Sequence, residues 1–242
     1  MSGDPLAALR AATRARVALG RAGDALPTAD LLELRAAHAA ARDAVHLPLD
    51  VDAVTAQARE LGVEVLHATS LARDRAEYLT RPDLGRRLAD DDLPAGAYDV
   101  VLVLADGLSP LALQTHGVPM LREVLARLDG WRVAPVVVAT QARVALGDEI
   151  TAAVGARSVV VLVGERPGMS STDSLGIYFT FDARRGRRDS ERNCLSNIRP
   201  PHGTGYAAAA TTLVMLMAEA RRLGLSGVAL KADPALPANV EV

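Results

Sequence analysis

Apolar and polar positions change rhythm near Tyr98, and the change divides the chain into two regions. Before it, apolar residues recur at helical spacing. Leu6 to Leu19 follows that spacing and stops at Gly20. Thr28 reads as an N-cap for a helix running to about His46, with Asp30 in its first turn and Pro48 as a stop. Val51 to Leu61 reads as a shorter helix ended by Gly62. Pro82 and Gly85 make Tyr78 to Leu93 irregular, a turn followed by a short helix.

After Tyr98 the pattern becomes continuous apolar runs separated by helical segments. Asp99 to Leu104, Val133 to Ala139 and Val159 to Val163 have the look of strands buried on both faces. Between the first two, Ser109 and Pro110 form an N-cap and first helical residue for a helix to about Leu128. A helix from Gly147 to Val154 separates the second and third. That order, β-α-β-α-β with short connections, predicts a parallel, right-handed sheet. Leu175 to Phe181 alternates as a fourth strand, and Tyr206 to Leu223 reads as a long apolar helix stopped by Gly224. Pro234 to Val242 reads as a frayed end. The expected division is a helical region over 1–95 and an α/β domain over 96–242.

Composition narrows the function classes. Half of the 242 residues are hydrophobic and few are aromatic, so the core is aliphatic and large enough for one sizeable domain. The formal charge of −2 gives no global field for nucleic acid or an acidic membrane. Arg184, Arg185, Arg187 and Arg188 cluster locally, as a solvated loop or as a contact for an acidic group. A single cysteine excludes an internal disulfide and a cysteine-based zinc site, and fits a reducing cytosol. No apolar stretch reaches the length of a membrane span, and Arg10, Arg14 and Arg16 interrupt any signal-peptide pattern.

Three loops follow the three predicted parallel strands: Asp106-Gly107, Thr140 to Val144, and Glu165 to Asp173. In an open α/β sheet these lie on the carboxyl edge, where ligands bind. None carries a dinucleotide or P-loop glycine pattern. Asp106 reads as a carboxylate accepting backbone N–H bonds in a turn, or as a metal ligand. Glu165 reads as a general base, an ion-pair partner of Arg166, or an acceptor for a ligand amide. Cys194 sits in a loop rich in asparagine and arginine, without a histidine close in sequence, and reads as a packed thiol more than a nucleophile. The histidines at 38, 46, 67, 116 and 202 show no metal-ligand spacing and read as surface or helix-face residues.

The motifs GERPGMSSTDSLGIYFTF and RNCLSNIRPP resemble the signature of the small subunit of ethanolamine ammonia-lyase. ARVALGRAG, LLELRAAHAAARDAV, RDRAEYLTRPDLGRRL and YDVVLVLADGLSP resemble the same family in the same order, so the resemblance spans about residues 14 to 230. It implies a Rossmann-like α/β domain with helices on both faces of a mostly parallel sheet, acting as one subunit of an adenosylcobalamin-dependent enzyme. That enzyme converts ethanolamine to acetaldehyde and ammonia. A large subunit, a TIM barrel, holds the substrate and the radical chemistry, and the small subunit covers the other face of the corrin. The family's cobalamin contacts fall here on Val144, Glu165 and Cys194. No catalytic residue and no metal ligand is expected in this chain. Because the chain has no Asp-x-His-x-x-Gly pattern, the cofactor is expected to stay base-on. The implied partners are the large subunit and a higher-order hetero-oligomer, with no nucleic acid and no membrane. The implied location is the cytoplasm, including a bacterial microcompartment; some relatives use a longer N-terminal extension for targeting and solubility. Two rival readings are a self-sufficient metal-dependent phosphatase or hydrolase using Asp106 and Glu165, and a non-catalytic Rossmann-like assembly protein.

Overall fold

The computed structural model describes residues 6–13 and 15–230. The stretch Pro234 to Val242, read above as frayed, lies outside the described residues.

Six strands form one sheet in the order β1-β3-β2-β4-β5-β6. They are β1 (Val65–Thr69), β2 (Tyr98–Ala105), β3 (Val136–Thr140), β4 (Ala156–Gly164), β5 (Leu175–Phe181) and β6 (Asn193–Ile198). The first four in that order are mutually parallel; β5 runs antiparallel to β4, and β6 antiparallel to β5. The sheet is therefore mixed, which corrects the expectation of a clean Rossmann-like parallel sheet. The cause is the connection after β4. Glu165 to Ser174 contains no helix and is too short for a parallel crossover, so the chain can only turn back on itself.

Two strands escape the pattern reading. In the N-terminal region, α1 (Ala7–Ala12), α2 (Thr28–His46), α3 (Val51–Arg59) and α4 (Arg75–Thr80) are helical, but β1 lies between α3 and α4 and pairs with β3. β1 is a short edge strand buried on one face only, so it lacks the long apolar run of a central strand. The Cys194 segment, expected as a loop, is β6. It too is an edge, with Cys194 and Ser196 exposed on one side and Leu195 packed on the other.

The strands alternate between two apolar layers. Val100, Leu102 and Leu104 of β2, Val160 and Leu162 of β4, and Ile177 and Phe179 of β5 face one layer. There they meet α3, α6 (Val118–Leu125) and α8 (Tyr206–Leu223). Val101, Val103, Val137, Val159 and Val161 face the other layer, covered by α7 (Leu146–Val154). Helices thus lie on both faces, as expected.

Local chemistry explains the helix boundaries. Asp50 caps α3 by accepting from the Ala53 N–H at 2.9 Å, and Ser109 accepts from the Ala112 N–H at 3.2 Å, opening α5 (Pro110–Ala112). The expected single helix to Leu128 is interrupted by a π-helical turn, Leu113–Gly117. Pro119 supplies the reason, since a proline ring inside a helix lacks an N–H and crowds the carbonyl four residues back. Near the N-terminus, α1 covers only part of the expected Leu6 to Leu19 helix.

Candidate functional site

The loops after β2, β3 and β4 lie on one edge, as the parallel pairing requires. The chain leaves β2 toward α6 on one face and leaves β3 toward α7 on the other. Adjacent strands with such opposed exits form the crevice where open α/β sheets take ligands. Here Asp106 fills that crevice. Its carboxylate accepts from the Gln141 N–H at 2.8 Å and the Ala142 N–H at 2.9 Å, and Arg75 donates to it at 3.3 Å. Burial pushes this carboxyl up from its ordinary value, against the pull of those N–H groups and of Arg75. Gly107 makes the turn at φ +57°, and a Cβ there would stand 2.3 Å from the Gly164 carbonyl, so the loop lies directly on the end of β4. Asp106 therefore has the turn role read from the sequence. Among the described residues no three His, Cys, Asp or Glu are grouped to hold a metal ion.

The open surface lies further along the sheet. On the α7 side, β5 and β6 present Tyr178, Cys194 and Ser196, with Tyr178 and Cys194 paired across the strands. Tyr178 is half-buried, whereas Cys194 and Ser196 are exposed. Glu165, just past β4, reaches across to this patch. It accepts from the Ser174 hydroxyl at 2.5 Å and the Ser196 hydroxyl at 2.5 Å, and the Asn197 N–H stands 3.4 Å away. Gly176 makes this reach possible, because a Cβ there would be 2.9 Å from Glu165 Oε1. Glu165 thus accepts hydrogen bonds from two serines. The ion pair with Arg166 considered above is not among the pairs formed by the described residues.

Cys194 touches Tyr178 across the ladder. Burial of the sulfur side against the sheet pushes the thiol up, the Glu165 charge adds to this, and the Tyr178 hydroxyl opposes it. Tyr178 itself is pushed up to about 12, mainly by burial and then by the neighbouring Cys194. A thiol held in that direction has little thiolate to act as a nucleophile. Val144 precedes α7 and packs on the same apolar layer as Tyr178. The sheet face carrying α7 therefore borders all three residues singled out by sequence, Val144, Glu165 and Cys194.

Two further groups secure this region. Arg192, two residues before Cys194, donates through Nη1 and Nη2 to both Asp148 oxygens of α7 at 2.8 and 2.7 Å, and both side chains are only 2% exposed. This ties β6 to the helix that follows Val144. Three members of the arginine cluster read above as a solvated loop or an anion contact form ion pairs within the chain: Arg184 and Arg187 pair with Asp182, Arg187 with Glu191, and Arg185 with Glu149. Sequence reasoning passed over Ser174, Ser196 and Tyr178. Ser196 had a signal, since it lies two residues from Cys194 and a strand puts both on one face.

His116 corrects the surface reading of the histidines, because its side chain is buried in the π turn. Nδ1 lies 2.7 Å from the Tyr206 hydroxyl and Nε2 lies 3.5 Å from Asp173. Burial lowers its pKa, with Asp173 pulling the other way. The unfolded chain then binds the proton more readily. This histidine's contribution is fully present above the unfolded value of about 6.5 and is lost as pH falls below it. Urea unfolding of His116→Gln should lose less stability than the parent chain on going from pH 7 to the acid side. Parallel pH profiles for the two would show that His116 does not titrate in this way.

Residues 3–231 match the family model "Ethanolamine ammonia-lyase light chain (EutC)". The ethanolamine ammonia-lyase small subunit of Azotobacter vinelandii is 52% identical over 94% of this chain and 88% of its own length. Those of Ralstonia nicotianae and Rhodococcus erythropolis are each 50% identical, over 97% and 92% of this chain and 90% and 88% of their own lengths. An α/β subunit of an ammonia-lyase is the class so defined. The chain belongs to the ethanolamine ammonia-lyase light-chain family, whose curated relatives carry the name small subunit. That name implies a large-subunit partner. No helix of the described residues is long and apolar enough to cross a membrane.

Proposed function

We propose that the chain covers one face of adenosylcobalamin in a heteromeric ethanolamine ammonia-lyase, while the large subunit holds ethanolamine and carries the radical chemistry. The observation that carries this reading is the open face of β5 and β6, where Glu165, Ser196, Cys194 and Tyr178 meet beside the start of α7. Its donors and acceptors suit a corrin, whose periphery offers amides around an apolar rim. Val144 and the Tyr178 ring would meet the rim. Glu165 spends part of its acceptor capacity on the two serines and keeps lone pairs for an amide or hydroxyl donor. Cys194 is a small group that lets the ligand approach the sheet. The absence of a Cβ at Gly176 leaves the carboxylate its place.

Adenosylcobalamin, when bound, supplies the radical that starts conversion of ethanolamine to acetaldehyde and ammonia. Residues of this chain bind and orient the cofactor, keep water from its covered face, and move no proton in the reaction. The proposed state is base-on, in a higher-order hetero-oligomer located in the cytoplasm, including a bacterial microcompartment.

The test is co-purification with the large subunit followed by a corrinoid absorption spectrum. A complex that forms but takes up no corrinoid would favour the assembly-protein reading. The purified chain with adenosylcobalamin alone is expected to leave ethanolamine unconverted; turnover by it would overturn the division of labour. Glu165→Gln keeps the shape and removes the charge. Cofactor affinity in the assembled enzyme should fall by about 1–3 kcal/mol, the range of a charge-assisted hydrogen bond. An unchanged dissociation constant would leave Glu165 as a clamp for two serines only.

A further inference from the structure

We propose that Asp173 and Arg199 are positioning residues for the Glu165 carboxylate, acting through the two chain segments that grip it. This rests on the cofactor role proposed for Glu165.

The carboxylate is held from two sides. Ser174 grips one oxygen, and the Glu165 N–H also donates to the Ser174 carbonyl at 2.9 Å. Ser196 grips the other oxygen, while the Asn197 N–H stands 3.4 Å from the oxygen that Ser174 holds. These grips belong to different segments, the end of the β4–β5 loop and the end of β6. The ladder between β5 and β6 pairs Leu175 with Ile198 beside these grips but is irregular between there and Ser196. It shifts between Leu175 and Ile177, and Asn197 takes φ +59°. A separate tie crosses here. Asp173 precedes Ser174, and Arg199 follows β6. Arg199 donates to Asp173 Oδ1 through Nε and stands at 3.2 Å through both Nε and Nη2.

The tie is braced from behind. His116 Nε2 faces the second Asp173 oxygen at 3.5 Å, and His116 Nδ1 meets Tyr206 at the start of α8. A polar chain thus runs from α8 through the π turn to both gripping segments. Partial burial acts to raise the Asp173 carboxyl, but Arg199, the Asp173 backbone N–H and His116 together hold it below its ordinary value, so it is an anion at neutral pH. On the far side, Asp173 and Arg199 line a cavity of about 430 Å³ beneath α2. No side chain is packed into that volume, so the pair keeps its geometry through its own bonds and the His116 brace. Loosening it would free Ser174 relative to Ser196 and let the carboxylate wander. The cost would appear as lost preorganisation toward the ligand.

A double-mutant cycle on the assembled enzyme with its large subunit tests this. Adenosylcobalamin dissociation constants and kcat are measured for Glu165→Gln, Asp173→Asn and the double variant, with melting temperature as a check on folding. Asp173→Asn should weaken cofactor binding about fivefold, the scale of coupling inside one hydrogen-bonded network. In the Glu165→Gln background the same change should do almost nothing, because the group it positions is already disabled. Arg199→Lys, which keeps the charge and loses the two-point approach, should weaken binding less than Arg199→Met and be equally silent in the Glu165→Gln background. Additive losses would show a general structural role and overturn the inference. So would weakened binding in Glu165→Gln with none in Asp173→Asn, which leaves the cofactor reading intact. No loss in Glu165→Gln itself would remove the cofactor role of Glu165, and this inference with it, while corrinoid uptake by the complex decides the wider reading separately. Should Asp173→Asn fail to assemble, the cycle with Arg199→Lys decides by the same criteria.

Discussion

Asp148→Ala should destabilise the chain by about 3–5 kcal/mol, the usual cost of stranding one member of a buried ion pair. Arg192 has lost nearly all contact with water, and its two Nη atoms lie on the two Asp148 oxygens. Its remaining contacts are the Thr180 hydroxyl at 2.9 Å, the Arg187 carbonyl at 3.1 Å, and the exposed Asp189 carboxylate 3.5 Å from Nε, the last well screened by water. Without Asp148 the guanidinium is left buried with only the solvent-exposed Asp189 carboxylate as a counter-charge. The pair is worth much less than its removal costs, because desolvating both ions already consumed most of their attraction. Asp148→Leu combined with Arg192→Met, apolar groups of similar size, should therefore recover most of the loss. The shift in urea midpoint measures both variants. A cost below about 1 kcal/mol for Asp148→Ala, the level of an exposed pair, would mean that water reaches the site. The position gives the pair a second consequence. It joins β6, two residues before Cys194, to α7, four residues after Val144, so the alanine variant should also weaken the cofactor face.

How much of this was legible in the sequence depends on how each element is buried. β2, β3 and β4 announced themselves because strands covered on both faces must be apolar at every position. β1 and β6 did not, since an edge strand covered on one face needs only every second residue to be apolar. In β6 that leaves Leu195 and Ile198 among polar neighbours, a pattern shared with many loops. The direction of β5 was legible in principle from the helix-free connection before it, but the alternation of Leu175 to Phe181 by itself is the same for either direction. Asp106 followed from local turn chemistry and was legible. Glu165 was legible as a residue at a carboxyl edge, and its two serine partners were not, because they come from segments whose meeting depends on β6 being a strand. His116 lay beyond reach for the same reason. Its burial is set by Tyr206 and Asp173, each far away along the chain.

Cys194→Trp should abolish most cofactor binding in the assembled enzyme while leaving the fold of the chain intact. The two halves of this expectation come from one observation: Cys194 is exposed on a sheet face with Tyr178 as its cross-strand neighbour. An exposed strand position accepts an indole without overpacking the core, and aromatic neighbours across a ladder attract one another, so the melting temperature should hold. If the corrinoid lies against this face, the same indole occupies its place. The loss of affinity should then be at least about tenfold, since a packed contact tolerates little added volume. Cys194→Ser separates contact from chemistry. It keeps the volume nearly constant, and a thiol held in its neutral form donates nothing that a hydroxyl lacks for packing. The serine variant should retain substantial turnover with binding only modestly weakened. Full cofactor occupancy with no turnover in the serine variant would mean that the sulfur takes part in the reaction. Full affinity in the tryptophan variant would mean that the cofactor does not lie over β6 at all.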